Sequence, residues 1–289
     1  MQGFRFQWAV SDAATKLIII NVFIFLAINI PLSLLHLFNS GSVETWLNRW
    51  LWLPGDPALF ITRPWTLITH MFMHSGIFHL LFNMITLYFS AQLFTRYFDD
   101  RRLLGVYFSG GLAGALFFML AVNIFPLFTS MRGDYQAAGA SAAALSILIA
   151  ISAYRPDDEV LLFGIIRMRL LWLAALFIIL DILQIRAGNA GGHIAHLGGA
   201  LFGIVWARNL ALGRDLASWW NTVQDAITGK RKARMRVVHA RGKSDEEYAL
   251  SRTEKQRRLD EILDKISRSG YDSLSKQEKA LLLELSKEN

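Results

Sequence analysis

Three groups of residues have types and spacings that could do chemistry. Ser141 is the one hydroxyl in "QAAGASAAAL", Gln136–Leu145, a run of mostly small apolar residues with Gly139 two positions ahead of it. His193 and His196 lie in "GGHIAHLGG". His70, His74, His79 and Asn83 lie in "HMFMHSGIFHLLFN", where His70 and His74, and again His79 and Asn83, stand four apart and share a helical face. A hydroxyl, an imidazole and further donors are the parts of nucleophilic acyl transfer: an attacking oxygen, a base for its proton, and groups to meet negative charge. They work together only if hydroxyl and imidazole come within about 2.6–3.2 Å. The clustered histidines also raise a metal site, but "HMFMH" lacks the glutamate of the HExxH pattern.

The elements that must position these groups are membrane helices. Of 289 residues, 53% are hydrophobic and 18% charged, against about 25% charged in a soluble domain. A hydrocarbon span needs ~20 apolar residues as helix. Candidate segments lie at roughly 14–37, 76–95, 102–126, 140–154, 168–186 and 192–210. The expected fold class is therefore an all-α membrane protein with six transmembrane helices. Between the first two segments, about 38–75, a Trp-rich stretch reads as an interfacial loop with short helical pieces, or as a re-entrant element. No short apolar core with a cleavage site marks a signal peptide at the start. The absence of cysteine excludes disulfides, thiolate metal sites and a cysteine nucleophile.

Charge sets the expected orientation. "RYFDDRR" and "YRPDDEV", the latter followed by Arg167 and Arg169, flank alternate segments, whereas the opposite loops carry only Arg132 with Asp134, and Arg186. The positive-inside rule puts both termini in the cytoplasm. The second, fourth and sixth segments then run inward from the outer face. His79, Ser141 and His196 sit near their starts, at one depth, where they could converge. "GASAAA" and the Gly199/Gly203 spacing of "HLGGALFG" give thin helix faces suited to close approach. Asp181 stands alone as an acid in the fifth segment, which leaves a paired-aspartate mechanism without its second carboxylate.

These residues resemble the rhomboid family of intramembrane serine proteases. "GASA" matches the family's GxSx nucleophile motif, "AHLGGALFG" its AHxxGxxxG motif, and "HMFMHSGIFHLLFN" its histidine-and-asparagine motif, in family order over roughly residues 10–210. The resemblance implies a rhomboid-like six-helix bundle and a Ser–His dyad without an acidic third member. Ser141 would be the nucleophile and His196 the general base, with His193 a rival. His79, Asn83 and the Ser141 backbone N–H would meet the oxyanion, and Gly139 would form the turn before the nucleophile. No cofactor or metal is implied. Substrates would be transmembrane segments of membrane proteins. Departures are Ala142 where the family often has glycine, Leu145 where many members stack an aromatic on the histidine, and Thr66 rather than arginine after Trp65, with Arg63 earlier. A catalytically silent relative that binds membrane segments is the alternative reading, and such a protein would be expected to have lost the serine or the histidine.

The expected domains are 1–210, the membrane domain; 211–243, a basic juxtamembrane linker; and 244–289, a cytoplasmic helical hairpin. "GKRKARMRVVHARGK" holds seven basic residues and no acid. Beside a membrane this suits orientation and contact with anionic headgroups rather than nucleic acid. Leu259, Ile262, Leu263 and Ile266 form a helical stripe, Gly270 stops it, and Ser275 with Glu278 has capping-box spacing ahead of Leu281, Leu282 and Leu285. The short N-terminus and six-segment core suggest a bacterial inner membrane.

Overall fold

A computed structural model describes residues 11–38, 41–162, 164–229, 257, 259–275, 277–279 and 282. Each of the six apolar segments is helical to within about two residues of the expected ends. They are α1 Ala13–His36, α5 Ile77–Phe94, α6 Asp100–Ile124, α7 Ser141–Tyr154, α8 Leu170–Gln184 and α9 Ala190–Ala211. Among the described residues α1, α5 and α6 are long and apolar enough to cross a membrane unaided. Helices α7 and α8 are apolar but shorter, and α9, although 22 residues long, opens on Gly191, Gly192, His193 and His196. The stretch before α5 folds into short helices α2 Gly41–Leu51, α3 Pro57–Thr62 and α4 Thr66–Thr69, then a 3-10 turn, His70–Phe72. In α2, Val43, Trp46, Leu47 and Trp50 follow a helical stripe and no residue is buried, as suits a helix lying in an interface.

Helix ends follow local chemistry. Asp12 caps α1, accepting from the Thr15 N–H at 2.6 Å, and Asp99 caps α6, accepting from the Arg102 N–H at 3.0 Å. Helix α7 differs: its cap position is Ala140, with no side-chain cap bond, and Ser141 is its first helical residue. The N–H groups at a helix start lack intrahelical acceptors, and here the first such bond runs from Ala144 to Ala140.

The core is built around α7. Every residue from Ala142 to Ser152 is buried, because α7 packs on α5, α6 and α9 together. Its 14 residues rise about 21 Å, less than the ~30 Å of hydrocarbon. With Tyr154 and Arg155 at a membrane boundary, a helix this short would start inside the apolar layer. Small residues permit this packing. A β-carbon at Gly199 would strike the Ala142 carbonyl, and one at Gly203 would lie 2.6 Å from the Ser146 carbonyl.

Two short sheets pin the loops. Strand β1, Leu53–Pro54, pairs antiparallel with β2, Gln136–Ala137, just ahead of Ser141, while β3, Glu159–Leu162, pairs with β4, Ile166–Arg169. The interfacial loop is anchored despite Thr66 in place of arginine. Arg63, 3% exposed, donates to the Arg49 carbonyl, Trp65 Nε1 to the Trp50 carbonyl at 2.9 Å, and Thr69 Oγ1 to the Leu51 carbonyl at 2.7 Å. Trp50 and Trp65 stack at 5.8 Å.

The chain divides into two compact units, Met1–Arg231 and Lys232–Asn289. The first continues past residue 210 because α10, Trp219–Thr228, folds back on α6: Trp219 Nε1 donates to Ser109 Oγ at 2.8 Å and Trp220 stacks on Phe108 at 4.2 Å. In the second unit, residues 259–269 are helical with Ile262 buried. Gly270, at φ 76°, ends that helix. Ser275 and Glu278 bond reciprocally, N–H to Oε2 at 2.7 Å and N–H to Oγ at 3.3 Å, and Lys265 Nζ reaches Glu278 at 2.8 Å. The basic segment 230–243, Leu281 and Leu285 lie outside the described residues.

Two outcomes follow from this packing. Gly199→Ala would force α7 and α9 apart and lower stability by about 1–3 kcal/mol, read as a lower Tm in detergent; an unchanged Tm would contradict the close contact. In the second unit, the Lys265 ammonium, then the Ser275 donors, hold the Glu278 carboxyl down at about 2. A depressed carboxyl contributes stability above its unfolded value of about 4.3, and that contribution is lost as pH falls toward 2. Protection of the amides around Ser275–Glu278 against exchange, corrected for the intrinsic effect of pH, should fall over that window in the full chain, and Glu278→Gln should flatten the dependence.

Candidate functional site

The first turns of α7 and α9 bring the two expected groups together. His196 Nε2 lies 2.6 Å from Ser141 Oγ. The serine hydroxyl is committed to this imidazole and does not cap its helix. Above the pair lies a cavity of about 880 Å³, lined by Ser141, His196, His79, Asn83, Asp181 and Gln136 among others. His193, the rival base, makes no hydrogen bond to Ser141; its Nδ1 meets Asp181 Oδ1 at 2.8 Å.

The same Asp181 oxygen accepts from His196 Nδ1 at 2.7 Å. A carboxylate is acceptor-only, so each Nδ1 carries a proton. In the neutral ring, His196 Nε2 is then the lone-pair nitrogen, and Ser141 Oγ–H donates to it. Asp181 is 7% exposed, buried with Leu170, Leu173 and Ala174 on the bundle face of α8. The resemblance implied no acid here, and the lone acid in its segment gave no partner to reason from. Two signals bore on it: an ionisable residue in an apolar helix should face the bundle, and α8, antiparallel to α7 and α9, carries its end to the depth of their starts.

The ligand atoms of Asp181, His193 and His196 lie within 4.8 Å of one another, as a metal site would require. In tetrahedral zinc with bonds of ~2.0–2.2 Å, ligand atoms stand about 3.3 Å apart. The 2.7 and 2.8 Å contacts here are N–H···O distances, so protons fill this arrangement as it stands.

His79 and Asn83 come from the first turns of α5. The Ser75 backbone N–H points at His79 Nδ1 at 3.3 Å, and Ser75 Oγ lies 3.0 Å from the same atom. An N–H directed at Nδ1 makes that nitrogen the acceptor and leaves the ring proton on Nε2. Nε2 faces the nucleophile turn: a β-carbon on Gly139 would lie 2.8 Å from it and 3.5 Å from Ser141 Oγ. Ser75 was not singled out in the sequence, where nothing beyond its spacing from His79 marks it. Asn83 Nδ2 donates to the His79 carbonyl at 2.7 Å, and the amide carries a second N–H beyond that bond.

Gly139 has φ 130°, a conformation L side chains rarely adopt. Its N–H donates to the His70 carbonyl at 2.8 Å, while His70 Nδ1 bonds to the Thr66 carbonyl at 2.9 Å. His70 thus holds the nucleophile turn through its backbone. His74 sets its ring edge-on to His79, centroids 5.2 Å apart. Both lie before α5, outside the apolar helices, and burial pushes each imidazole down to about 4.

Comparison with known proteins bears on what this arrangement is. The rhomboid domain family matches residues 62–212, and a family of unknown function, DUF6576, matches residues 243–288. The chain is 34% identical over 154 residues to RHOMBOID-like protein 12, mitochondrial, from Arabidopsis thaliana, covering 50% of this chain and 46% of that one. It is 33% identical over 82 residues to Inactive RHOMBOID-like protein 8 from the same plant, 28% of this chain and 23% of that one. It is 40% identical over 74 residues to the plant's Rhomboid-like protein 16, chloroplastic, 25% of this chain and 20% of that one. The chain spans less than half the length of these curated relatives. Two are named for organelles, so they lend no support to a bacterial inner membrane. The apolar helices make the chain an integral membrane protein. The rhomboid match extends over more than half of the sequence and takes in the Gly139–Ser141 turn, the first turns of α5 and α9, and the end of the loop before α5 from residue 62 onward: the chain belongs to the rhomboid family.

Proposed function

We propose that this protein is an intramembrane serine endopeptidase that cleaves transmembrane segments of membrane proteins with Ser141 and His196. The 2.6 Å contact between Ser141 Oγ and His196 Nε2, made across two helices and inside a cavity, carries this reading.

In this reading, Ser141 Oγ attacks the scissile carbonyl carbon while His196 Nε2 takes the hydroxyl proton. The carbonyl oxygen becomes an oxyanion. The Ser141 N–H at the uncapped start of α7, His79 Nε2–H and the Asn83 amide are the donors that meet it. Collapse breaks the C–N bond, and His196 returns its proton to the leaving amine. Water then attacks the acyl-serine with His196 again as base, which restores the hydroxyl and releases the acid. The cavity supplies the water path, and Ser141 inside the apolar layer reaches a substrate's membrane segment where that helix is locally open, since an intact helix keeps its carbonyls in internal hydrogen bonds. The orientation in this reading has both termini cytoplasmic, with the 244–289 segment on that side.

The second reading is a silent relative that binds membrane segments without cutting them. Its support is the similarity to a protein named inactive. The retained serine and histidine at bonding distance weigh against it.

Purified protein in detergent should cleave a model transmembrane substrate. Ser141→Ala and His196→Ala should each lower kcat on the order of 10⁴-fold or more at unchanged Tm, since members of one nucleophilic unit fail together. Fluorophosphonate should label wild type but neither variant, whereas labelling that survives His196→Ala but not His193→Ala would reassign the base. A wild type that binds substrate yet neither cuts nor labels would establish the silent reading. Gly139→Ala, which adds a methyl against His79 Nε2 at a φ reserved for glycine, should lower kcat by about 10²-fold or more by displacing an oxyanion donor.

A further inference from the structure

We propose that Asp181 is the positioning residue of the active site: its carboxylate holds the His196 ring by Nδ1–H, keeps Nε2 free for the Ser141 proton, and is itself held in place by His193. The inference rests on the serine protease reading above and adds to it a residue on a fourth helix, α8.

The geometry forms one continuous line. Ser141 Oγ, His196 Nε2, His196 Nδ1 and Asp181 Oδ1 are joined by contacts of 2.6 and 2.7 Å on either side of the imidazole. An imidazole with a hydroxyl on one nitrogen needs its other nitrogen specified, because the two neutral tautomers differ in which nitrogen can accept a proton. The acceptor-only carboxylate selects the tautomer that accepts at Nε2. When His196 takes the serine proton it becomes a cation in an apolar layer, and a carboxylate bonded to Nδ1 offsets that charge. No ring stacks on His196 from α7, where the residue one turn after Ser141 is Leu145. Among the described residues its ring contact is His193, edge-on at 5.6 Å. Orientation therefore comes from the hydrogen bond.

His193 acts on the carboxylate. It stands one turn before His196 on α9, and its Nδ1–H reaches the same Oδ1 at 2.8 Å. Two donors on one oxygen, both from α9, clamp the end of α8 to the start of α9. A carboxylate buried in an otherwise apolar helix is costly unless paired, and this pairing supplies the partners.

The test uses the full-length protein in detergent, with substrate cleavage, fluorophosphonate labelling and Tm measured together. Asp181→Asn keeps the shape but can present an N–H to Nδ1 and favour the wrong tautomer. It should lower kcat about 10²-fold, leave KM within about twofold, and slow labelling of Ser141 in parallel. Asp181→Leu removes the acceptor altogether rather than mispairing it; it should lower Tm, because both Nδ1–H groups lose their partner, and lose the same kcat. Asp181→Glu should recover activity to within about tenfold of wild type by restoring an acceptor. A structural role alone predicts the opposite split: kcat unchanged in Asp181→Leu, or a loss confined to KM or Tm, and either result overturns the proposal. If Asp181→Asn does not fold, the Leu and Glu variants decide. A wild type that neither cuts nor labels overturns the protease reading and this inference with it, whereas a labelled wild type matched by Asp181→Leu overturns this inference alone.

Discussion

The contact between Ser141 and His196 is the constraint to which the rest of the bundle answers. Both side chains are short relative to a helix diameter, so a hydrogen bond between them requires two helix backbones to touch. Gly199 and Gly203 on α9 allow this by removing the β-carbons that would meet carbonyls of α7. Ala142, which departs from the glycine frequent at that place, is accommodated because its carbonyl, not its methyl, faces Gly199. In lipid, where helices gain little from leaving an apolar solvent, such backbone-to-backbone packing is what association depends on.

In the proposed reading, a second demand is that the nucleophile sit in the apolar layer while its machinery stays polar. The short α7 meets the first part. The second is met by bringing polar first turns together: α5, α7 and α9 contribute His79, Ser141 and His196, and α8 contributes Asp181 from its far end. Polar groups at this depth then bond to one another. The loop segments serve the same end, since β1 pins β2 ahead of Ser141 and the His70 carbonyl holds the Gly139 N–H. The nucleophile turn is therefore braced by backbone bonds rather than by its own sequence, which is too small and apolar to brace itself.

Much of this was legible in the residues. Hydrophobic run length located all six helices to within about two residues, because apolar length is the dominant constraint on a membrane helix. Motif order and parallel direction anticipated that His79, Ser141 and His196 would share a depth. Asp181 was legible as an anomaly and not as a partner, because the residues it meets lie 12 and 15 positions away on a different helix. Ser75 was not legible at all: a serine near a turn has many uses, and only the fold shows its N–H aimed at His79.

The sequence by itself therefore determined the helices and the residue types available for nucleophilic chemistry. It did so because burial in lipid and backbone saturation act locally along the chain. The tertiary structure alone decided which imidazole faces the serine, which tautomers the histidines hold, and that a carboxylate from α8 lies behind His196. Those are properties of contacts between helices. They depend on the rotation of each helix about its own axis, a quantity that hydrophobic length leaves open and that packing against glycine faces sets.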